Sequence, residues 1–163
     1  MFTIKAATTI HASRERVFAA LTRGINSWWG RWFLETEGTD QFNLELRLGG
    51  RFYAHSGSKD KEGSLLGLVI ALQEPNLIRL QGPFGMGPWG GHGTVEFELS
   101  ASKTGAAATN IQLKHTAWGH FEPEVQQHYE TGWKGLLFNL KELVEARKAL
   151  GTYQDPALDL DKQ

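Results

Sequence analysis

The fold is decided by residues 122–151, which read EPEVQQHYETGWKGLLFNLKELVEARKALG. Pro123 suits the first position of a helix, and Gly151 suits the position just past its end. Between them, apolar side chains recur every three or four residues, the spacing that turns one helix face toward a core. They are Val125, Tyr129, Trp133, Leu136, Leu140 and Leu143. The stretch predicts a single helix of roughly 40 Å at 1.5 Å per residue.

The sequence between residues 41 and 116 is dominated by segments typical of strands. In residues 94–99 and 110–115, apolar and polar residues alternate, which predicts strands with one covered face and one face in water. The same alternation predicts a half-buried strand through Phe42, Leu44, Leu46 and Leu48. Further strands are expected at residues 2–10, 51–55, 65–72 and 77–81. Polar loops are expected at residues 56–62 and 102–105.

Two short helices are expected between the first strand and the others. Ser13 is a suitable N-cap for one of them, and Glu15 places a negative charge in its first turn. Residues 24–29 predict the other. The whole order predicts an α+β fold in which an antiparallel sheet has one face covered by the long C-terminal helix.

Length and composition exclude several classes of protein. A chain of 163 residues is most simply one domain, here residues 1–151, with a loosely ordered tail at 152–163. The chain has no cysteine, which excludes disulfides and thiolate chemistry. Its start does not resemble a signal peptide, and no stretch is long enough to cross a bilayer, so we expect a cytoplasmic protein without membrane insertion. The net charge of −1 is spread along the chain, so we expect no nucleic-acid partner.

Short segments in a fixed order resemble the START-like, or SRPBCC, superfamily, and most of all the branch named after the activator of heat-shock protein 90 ATPase. These segments are 12–18 (ASRERVF), 28–29 (WW), 48–52 (LGGRF), 74–75 (EP), 113–116 (LKHT) and 132–133 (GW). The resemblance covers about residues 3–148. It implies a helix-grip fold, in which a curved antiparallel sheet grips a long C-terminal helix, and a cavity between them for apolar or amphipathic small molecules.

The segment at residues 82–93, GPFGMGPWGGHG, departs from the short hairpin that the family usually has there. It contains Gly-x-Gly-x-x-Gly, but a strand follows instead of the helix N-terminus that a dinucleotide site requires. Two interpretations stay open. The segment is a plain connection, or it is a movable apolar flap at the cavity mouth that carries Phe84, Met86 and Trp89.

Gly132 falls at the centre of the sheet-facing stripe of the long helix, and Gly135 on its flank. A glycine inside a helix costs about 1 kcal/mol relative to alanine, so its presence calls for a reason. Either helix and sheet approach closely there, or the missing side chain leaves volume for a ligand. In the second case the neighbours are Tyr129, Trp133 and Leu136.

Other candidate ligand contacts are aromatic. We expect either Trp28 or Trp29, or both, to be buried, with one of them near the cavity entrance. Phe52 and Phe97 complete the expected ligand-binding set. His115 ends an apolar alternation and is expected to point inward. There it is a hydrogen-bonded core residue, a ligand contact or, as the weak catalytic candidate, an acid or base.

The sequence predicts neither a cofactor nor a metal site. His92, His120 and His128 show no regular metal-ligand spacing, and the motifs of a nucleophile elbow or of paired catalytic carboxylates are missing. Phe138 falls off the apolar stripe of the long helix. If it is exposed, it marks a contact with a protein partner or with a second copy in a homodimer.

The predicted function is non-covalent binding of a small apolar or amphipathic molecule. Two alternatives come from the resemblance. One is a module that interacts with a chaperone ATPase, although the family's namesake uses an additional N-terminal domain that this sequence does not show. The other is an enzyme of the cyclase or hydrolase type that uses the same cavity, with His115 as its acid or base.

Overall fold

The N-terminal part of the chain forms one strand and two short helices. The computed structural model describes residues 1–29, 41–55, 63–103 and 107–150, with side chains of the last helix up to 146. Strand β1 spans Phe2–Ile10, helix α1 spans Arg14–Thr22, and helix α2 spans Ile25–Trp28. The Ser13 hydroxyl accepts a hydrogen bond from the N–H of Arg16 at 3.3 Å, which confirms the predicted N-cap.

The remaining strands are β2 (Gln41–Leu44), β3 (Arg51–His55), β4 (Gly63–Gln73), β5 (Leu77–Gly82), β6 (His92–Ala101) and β7 (Thr109–Trp118). In the described parts of the chain, seven strands form one antiparallel sheet in the order β1-β7-β6-β5-β4-β3-β2. The predicted sheet is therefore confirmed. Its apolar inner face, which includes Val95, Phe97, Ile111 and Leu113, is buried.

The strand predicted through Phe42 and Leu48 is wrong in its second half, because β2 ends at Leu44. The Glu45 carboxylate accepts a hydrogen bond from Nε of Arg51 at 2.6 Å, and the backbone between these two residues forms a turn. The N–H of Gly49 in this turn donates to the carbonyl of Val69 at 2.8 Å. Leu48 is consequently 67% exposed. These bonds to other strands override the local alternation.

Helix α3 spans Pro123–Leu150 and lies on the inner face of the sheet, as predicted. Of the predicted stripe, Tyr129, Trp133, Leu136 and Leu140 are buried, whereas Val125 and Leu143 are only partly buried. Gly132, Leu137 and Val144 are buried beside them. Among the described residues, none of the helices is both long enough and apolar enough to span a membrane. The expected cytoplasmic location stays a prediction. The loop predicted at 56–62 and the tail at 152–163 lie outside the described residues, as does part of the loop at 102–105.

A polar cluster fastens the end of β1 to α3. One oxygen of the Glu145 carboxylate accepts from the N–H of His11 at 3.0 Å and from Nζ of Lys141 at 2.7 Å. The ring Nδ1 of His11 lies 2.8 Å from the same oxygen. Burial alone would raise the pKa of Glu145, but the bonds from Lys141 and His11 lower it to about 2. Lys141 also donates to the carbonyl of Thr9 at 2.6 Å, so the first strand and the last helix are tied together.

Candidate functional site

Aromatic rings form a continuous row through the interior between the sheet and α3. Ring centroids are 4.9 Å apart for Phe52 and Trp29, and 5.6 Å apart for Trp29 and Trp133. The row continues over 5.7 Å from Trp133 to His115 and over 5.6 Å from His115 to Phe84. All four contacts are edge-to-face, the favourable geometry for aromatic pairs. The structure thus brings together five predicted site residues that come from five separate segments.

The other predicted ligand contacts flank this row, with one exception. Trp28 packs on Trp29 at 5.4 Å, Phe97 on Trp133 at 6.0 Å, and Tyr129 on His115 at 5.5 Å. Met86, Gly132 and Leu136 are buried as well. Trp89 is 51% exposed in a 3₁₀ turn at Gly87–Trp89 and does not belong to the row.

Between α1, α2 and the sheet, the structure leaves a small apolar gap of about 10 Å³. Its lining consists of Leu21, Thr22, Ile25, Trp28, Trp29, Leu44, Phe52, Ile78, Leu80 and Phe97. A volume of about 10–15 Å³ holds one water, whereas ligand pockets measure roughly 300–1,000 Å³. This gap between described residues is far smaller than a ligand pocket, so a ligand fits into it only if side chains move.

His115 is fully buried and is neutral at pH 7. The indole Nε1–H of Trp133 donates to its Nδ1 at 2.9 Å. Because an indole nitrogen only donates, Nδ1 must be the acceptor, and the ring proton is assigned to Nε2. Burial lowers the pKa of His115 to about 4. Nε2 is buried without a hydrogen-bond partner, so the site holds a donor with no acceptor.

A second buried donor lies beside Trp29 of the aromatic row. The indole Nε1 of Trp28 is buried and has no hydrogen-bond partner, although its ring lines the apolar gap. Leaving a buried donor unsatisfied costs about 1–3 kcal/mol. Two of the five unsatisfied buried side-chain nitrogens in the described residues, those of Trp28 and His115, therefore lie among these aromatic rings.

Phe84 is held in place from two sides. Its N–H donates to the carbonyl of Leu66 at 3.0 Å, and its own carbonyl accepts from the hydroxyl of Tyr129 at 2.6 Å. Burial raises the pKa of Tyr129 well above its usual value, so this hydroxyl keeps its proton. Phe84 has a φ of 43°, in the left-handed region that bulky residues avoid. These hydrogen bonds hold the backbone of Phe84 in a strained conformation.

The loop between β5 and β6, for which the sequence leaves a plain connection or a movable flap open, places its three large apolar side chains at different depths. Phe84 and Met86 are both 0% exposed and belong to the core, and only Trp89 lies at the surface. Strand β6 follows this loop at His92, as predicted, and not the helix that a dinucleotide site requires. The side chains of Phe84 and Met86 extend from this loop into the core. Its movement stays a prediction.

Sequence reasoning missed Phe2, whose ring lies 5.9 Å from His115 and 6.2 Å from Tyr129. The signal was present, because Phe2 and Ile4 alternate with polar residues at the start of β1. Pairing of Phe2 with Ala117 on β7 then brings it beside the site. The ring of Phe121 packs on that of Phe2, with 5.0 Å between the ring centroids.

The described residues offer little to a metal or to acid–base catalysis. Among them, no group of three His, Asp or Glu residues is placed to hold a metal ion. None of their carboxylates is bonded to His115, whose low pKa is far from the value that suits a general base near pH 7. Phe138 is 60% exposed, which confirms that it lies off the apolar stripe of α3.

The chain resembles known proteins in sequence and in fold. A family model described as activator of Hsp90 ATPase homolog 1-like protein matches residues 11–145. No curated protein matches the sequence.

Solved structures share the fold over nearly the whole chain. An AHSA1-like protein from Aeromonas hydrophila is 24% identical, with 94% of this chain and 99% of that chain covered and a TM-score of 0.64. The Aha1 dimer from Colwellia psychrerythraea is 20% identical, with 89% and 97% covered and a TM-score of 0.63. A protein from Chromobacterium violaceum is 21% identical, with 88% and 96% covered and a TM-score of 0.60. At these identities the likeness shows a shared fold.

Proposed function

Because this chain belongs to the family of activator of Hsp90 ATPase homolog 1-like proteins, a branch of the START-like superfamily, we propose that it binds a small apolar or amphipathic molecule between its sheet and α3. The observation that carries the proposal is the pair of unsatisfied buried donors, on Trp28 and His115, along one aromatic row. The large majority of buried polar groups in proteins have a hydrogen-bond partner, so two unsatisfied donors among the same aromatic rings call for an explanation. An oxygen-bearing apolar molecule would supply the missing acceptor.

The energetics of such binding come mainly from apolar burial. Removing apolar surface from water contributes about 25 cal/mol per Å², before the costs of ordering the ligand and moving side chains. The rings of Trp29, Phe52 and Trp133 offer large, rigid apolar faces for this purpose. The few polar atoms then set the orientation of the ligand.

Native mass spectrometry of freshly purified protein, followed by denaturing extraction, tests the proposal. We expect a stoichiometric small molecule that is released on denaturation. The Gly132→Leu variant adds a side chain at the buried face of α3 and should lose this molecule while its circular dichroism spectrum stays unchanged. Lys134→Leu, at a largely exposed position of the same helix, is the matched control and should retain it.

Two results would contradict the proposal. One is a ligand-free mass for the wild type together with no thermal shift from a panel of fatty acids, sterols and aromatic ketones. The other is unchanged ligand content in Gly132→Leu. Gross unfolding of that variant would show that helix and sheet approach closely at Gly132, which is the alternative explanation for this glycine.

A second candidate function is association with another protein through the outer face of α3. Phe138 is 60% exposed on this face and offers an apolar contact surface there. The Colwellia relative is described as a dimer. We propose that Phe138 contacts a second copy of this chain. Light scattering should give a dimer for the wild type and a monomer for Phe138→Ser, and a monomeric wild type would leave a chaperone partner to be tested by pulldown.

A further inference from the structure

One row across the inner face of the sheet is made of residues that have almost no side chain. Phe52 on β3 pairs with Gly67 on β4, Gly82 on β5 pairs with Gly93 on β6, and Gly93 pairs with Ala117 on β7. Gly67 and Gly82 are neighbours as well, because a Cβ on Gly82 would lie 2.4 Å from the Cα of Gly67. The four small residues Gly67, Gly82, Gly93 and Ala117 are all buried, and this row with no side chain larger than a methyl group is called here the glycine hollow.

The ring of Phe84 occupies part of the glycine hollow. Its Cζ lies 3.1 Å from the position that a Cβ on Gly67 would take, so the ring rests directly on the backbone of β4. Phe84 reaches this place from the loop after β5 by adopting its left-handed φ of 43°. The chain thus inserts one of its own aromatic rings into a depression of its own sheet, at the cost of backbone strain.

His115 points its unsatisfied nitrogen into the same hollow. A Cβ on Gly93 would lie 2.6 Å from the carbonyl oxygen of Thr116 and 3.1 Å from Nε2 of His115, so Nε2 lies against the backbone of Gly93. Nε2 carries the ring proton, because Nδ1 accepts from Trp133. Close packing explains a row of glycines, but it does not explain a fully buried N–H without an acceptor.

We propose that the glycine hollow is the recognition subsite of the ligand, that Phe84 is its built-in occupant, and that the ligand carries a flat ring with a neutral carbonyl oxygen. The ring would replace that of Phe84, and the oxygen would accept the hydrogen bond from Nε2–H of His115. A neutral acceptor is required, because a buried carboxylate beside a neutral imidazole would have an uncompensated charge. This inference rests on the proposed function and names the chemical class of its ligand.

Withdrawal of Phe84 is built into the loop that carries it. Leaving the hollow releases the hydrogen bond from the hydroxyl of Tyr129 and relieves the left-handed φ. Gly85 and Gly90, with φ values of 80° and 63°, follow Phe84 and permit the loop to refold locally. The closed loop competes with the ligand, so truncating Phe84 should increase affinity.

Calorimetric titration with two matched probes tests the proposal. Acetophenone has a ring and a carbonyl oxygen, and ethylbenzene has nearly the same shape without an acceptor. We expect Phe84→Ala to bind acetophenone about tenfold more tightly than ethylbenzene, the ratio that one hydrogen bond provides. We also expect the wild type to bind acetophenone more weakly than Phe84→Ala does.

A second substitution assigns the difference to His115. In Phe84→Ala combined with His115→Asn, the asparagine oxygen can still accept from Trp133, but the Nε2–H donor is gone. This double variant should bind both probes equally. In the wild type and in Phe84→Leu, acetophenone should shift the ¹⁵N resonance of Nε2 of His115. Ethylbenzene should shift this resonance no more than it shifts the ¹⁵N resonances of the other histidine rings.

The outcomes separate this inference from the proposed function. Equal affinity of Phe84→Ala for the two probes would overturn recognition by His115 and leave apolar ligand binding intact. The hollow would be overturned as a subsite if neither probe binds Phe84→Ala. If the alanine variant does not fold, the same test is made with Phe84→Leu. Native mass spectrometry of the wild type then decides the proposed function independently.

Discussion

The indole Nε1–H of Trp133 donates a 2.9 Å hydrogen bond to Nδ1 of His115, joining the middle of α3 to the inner face of β7. Both side chains are fully buried. This bond fixes which nitrogen of the imidazole carries the proton, and it thereby directs a donor toward the sheet. The contribution of this bond to stability and the effect of His115 on the pH dependence of stability can be measured separately.

Replacing Trp133 by phenylalanine should lower the free energy of unfolding by about 2–3 kcal/mol, because volume is lost and Nδ1 of His115 is left without a donor. The ¹⁵N spectrum of His115 should then show a mixture of tautomers. Urea denaturation measures the stability. Trp118→Phe, at a position that is 41% exposed, is the control and should change it by less than about 0.5 kcal/mol. A Trp133→Phe variant as stable as the wild type would contradict this role.

Stability should fall in mildly acidic solution because of His115. Its pKa is about 4 in the folded protein, below the value of about 6.5 for an unperturbed histidine, so the unfolded chain takes up a proton first as the pH drops. The stabilisation is complete above about pH 6.5 and is lost between there and about pH 4, by roughly 3 kcal/mol. Urea denaturation from pH 4 to 7 measures it. In His115→Asn the free energy of unfolding should depend less on pH than in the wild type. The same dependence in both proteins would exclude His115 as the cause.

At position 84, glycine should be at least as stable as alanine. Both substitutions remove the ring and should cost about 3 kcal/mol or more, but glycine tolerates the φ of 43° and alanine does not. We expect the free energy of unfolding of Phe84→Gly to exceed that of Phe84→Ala by up to about 1 kcal/mol, as measured by thermal or chemical denaturation. The same pair at Phe97, inside strand β6, should show the opposite order. A less stable glycine at both positions would mean that Phe84 is unstrained.

The cluster that fastens β1 to α3 depends on the charge of Glu145. Glu145→Gln should lower the free energy of unfolding by about 1–2 kcal/mol, since the amide cannot replace charge-assisted bonds from Lys141 and His11. Glu142→Gln, one turn away and exposed, should have an effect below about 0.5 kcal/mol. Equal effects of the two substitutions would show that the cluster adds no stability.

Features set by local sequence were predictable. The stripe of α3, its start at Pro123 and the cap at Ser13 depend on residues within a few positions of one another. The inward direction of His115 followed from alternation along one strand. The alternation through Leu46 and Leu48 predicted a strand that is not formed, because backbone hydrogen bonds from this segment to Val69 on another strand determine its conformation.

Features set by strand register were not predictable from the sequence. The glycine hollow exists only because pairing across two hairpins places Gly67, Gly82 and Gly93 in one row. The loop after β5 has no periodicity, so its composition did not reveal that Phe84 turns inward while Trp89 stays at the surface. Distinguishing core residues from ligand contacts requires the unsatisfied atoms, which sequence does not reveal.

The strand order has a consequence for how the chain is made. Five of the six pairings in the described sheet join strands that follow one another, whereas β1 pairs with β7, from Phe2↔Ala117 to Ile10↔Thr109. Closing such a long loop costs more chain entropy than forming a hairpin, and distant pairings form slowly. During synthesis, β1 leaves the ribosome first and has no sheet partner until most of the chain has followed. The interior that would hold a ligand is therefore completed only when β1 and β7 meet.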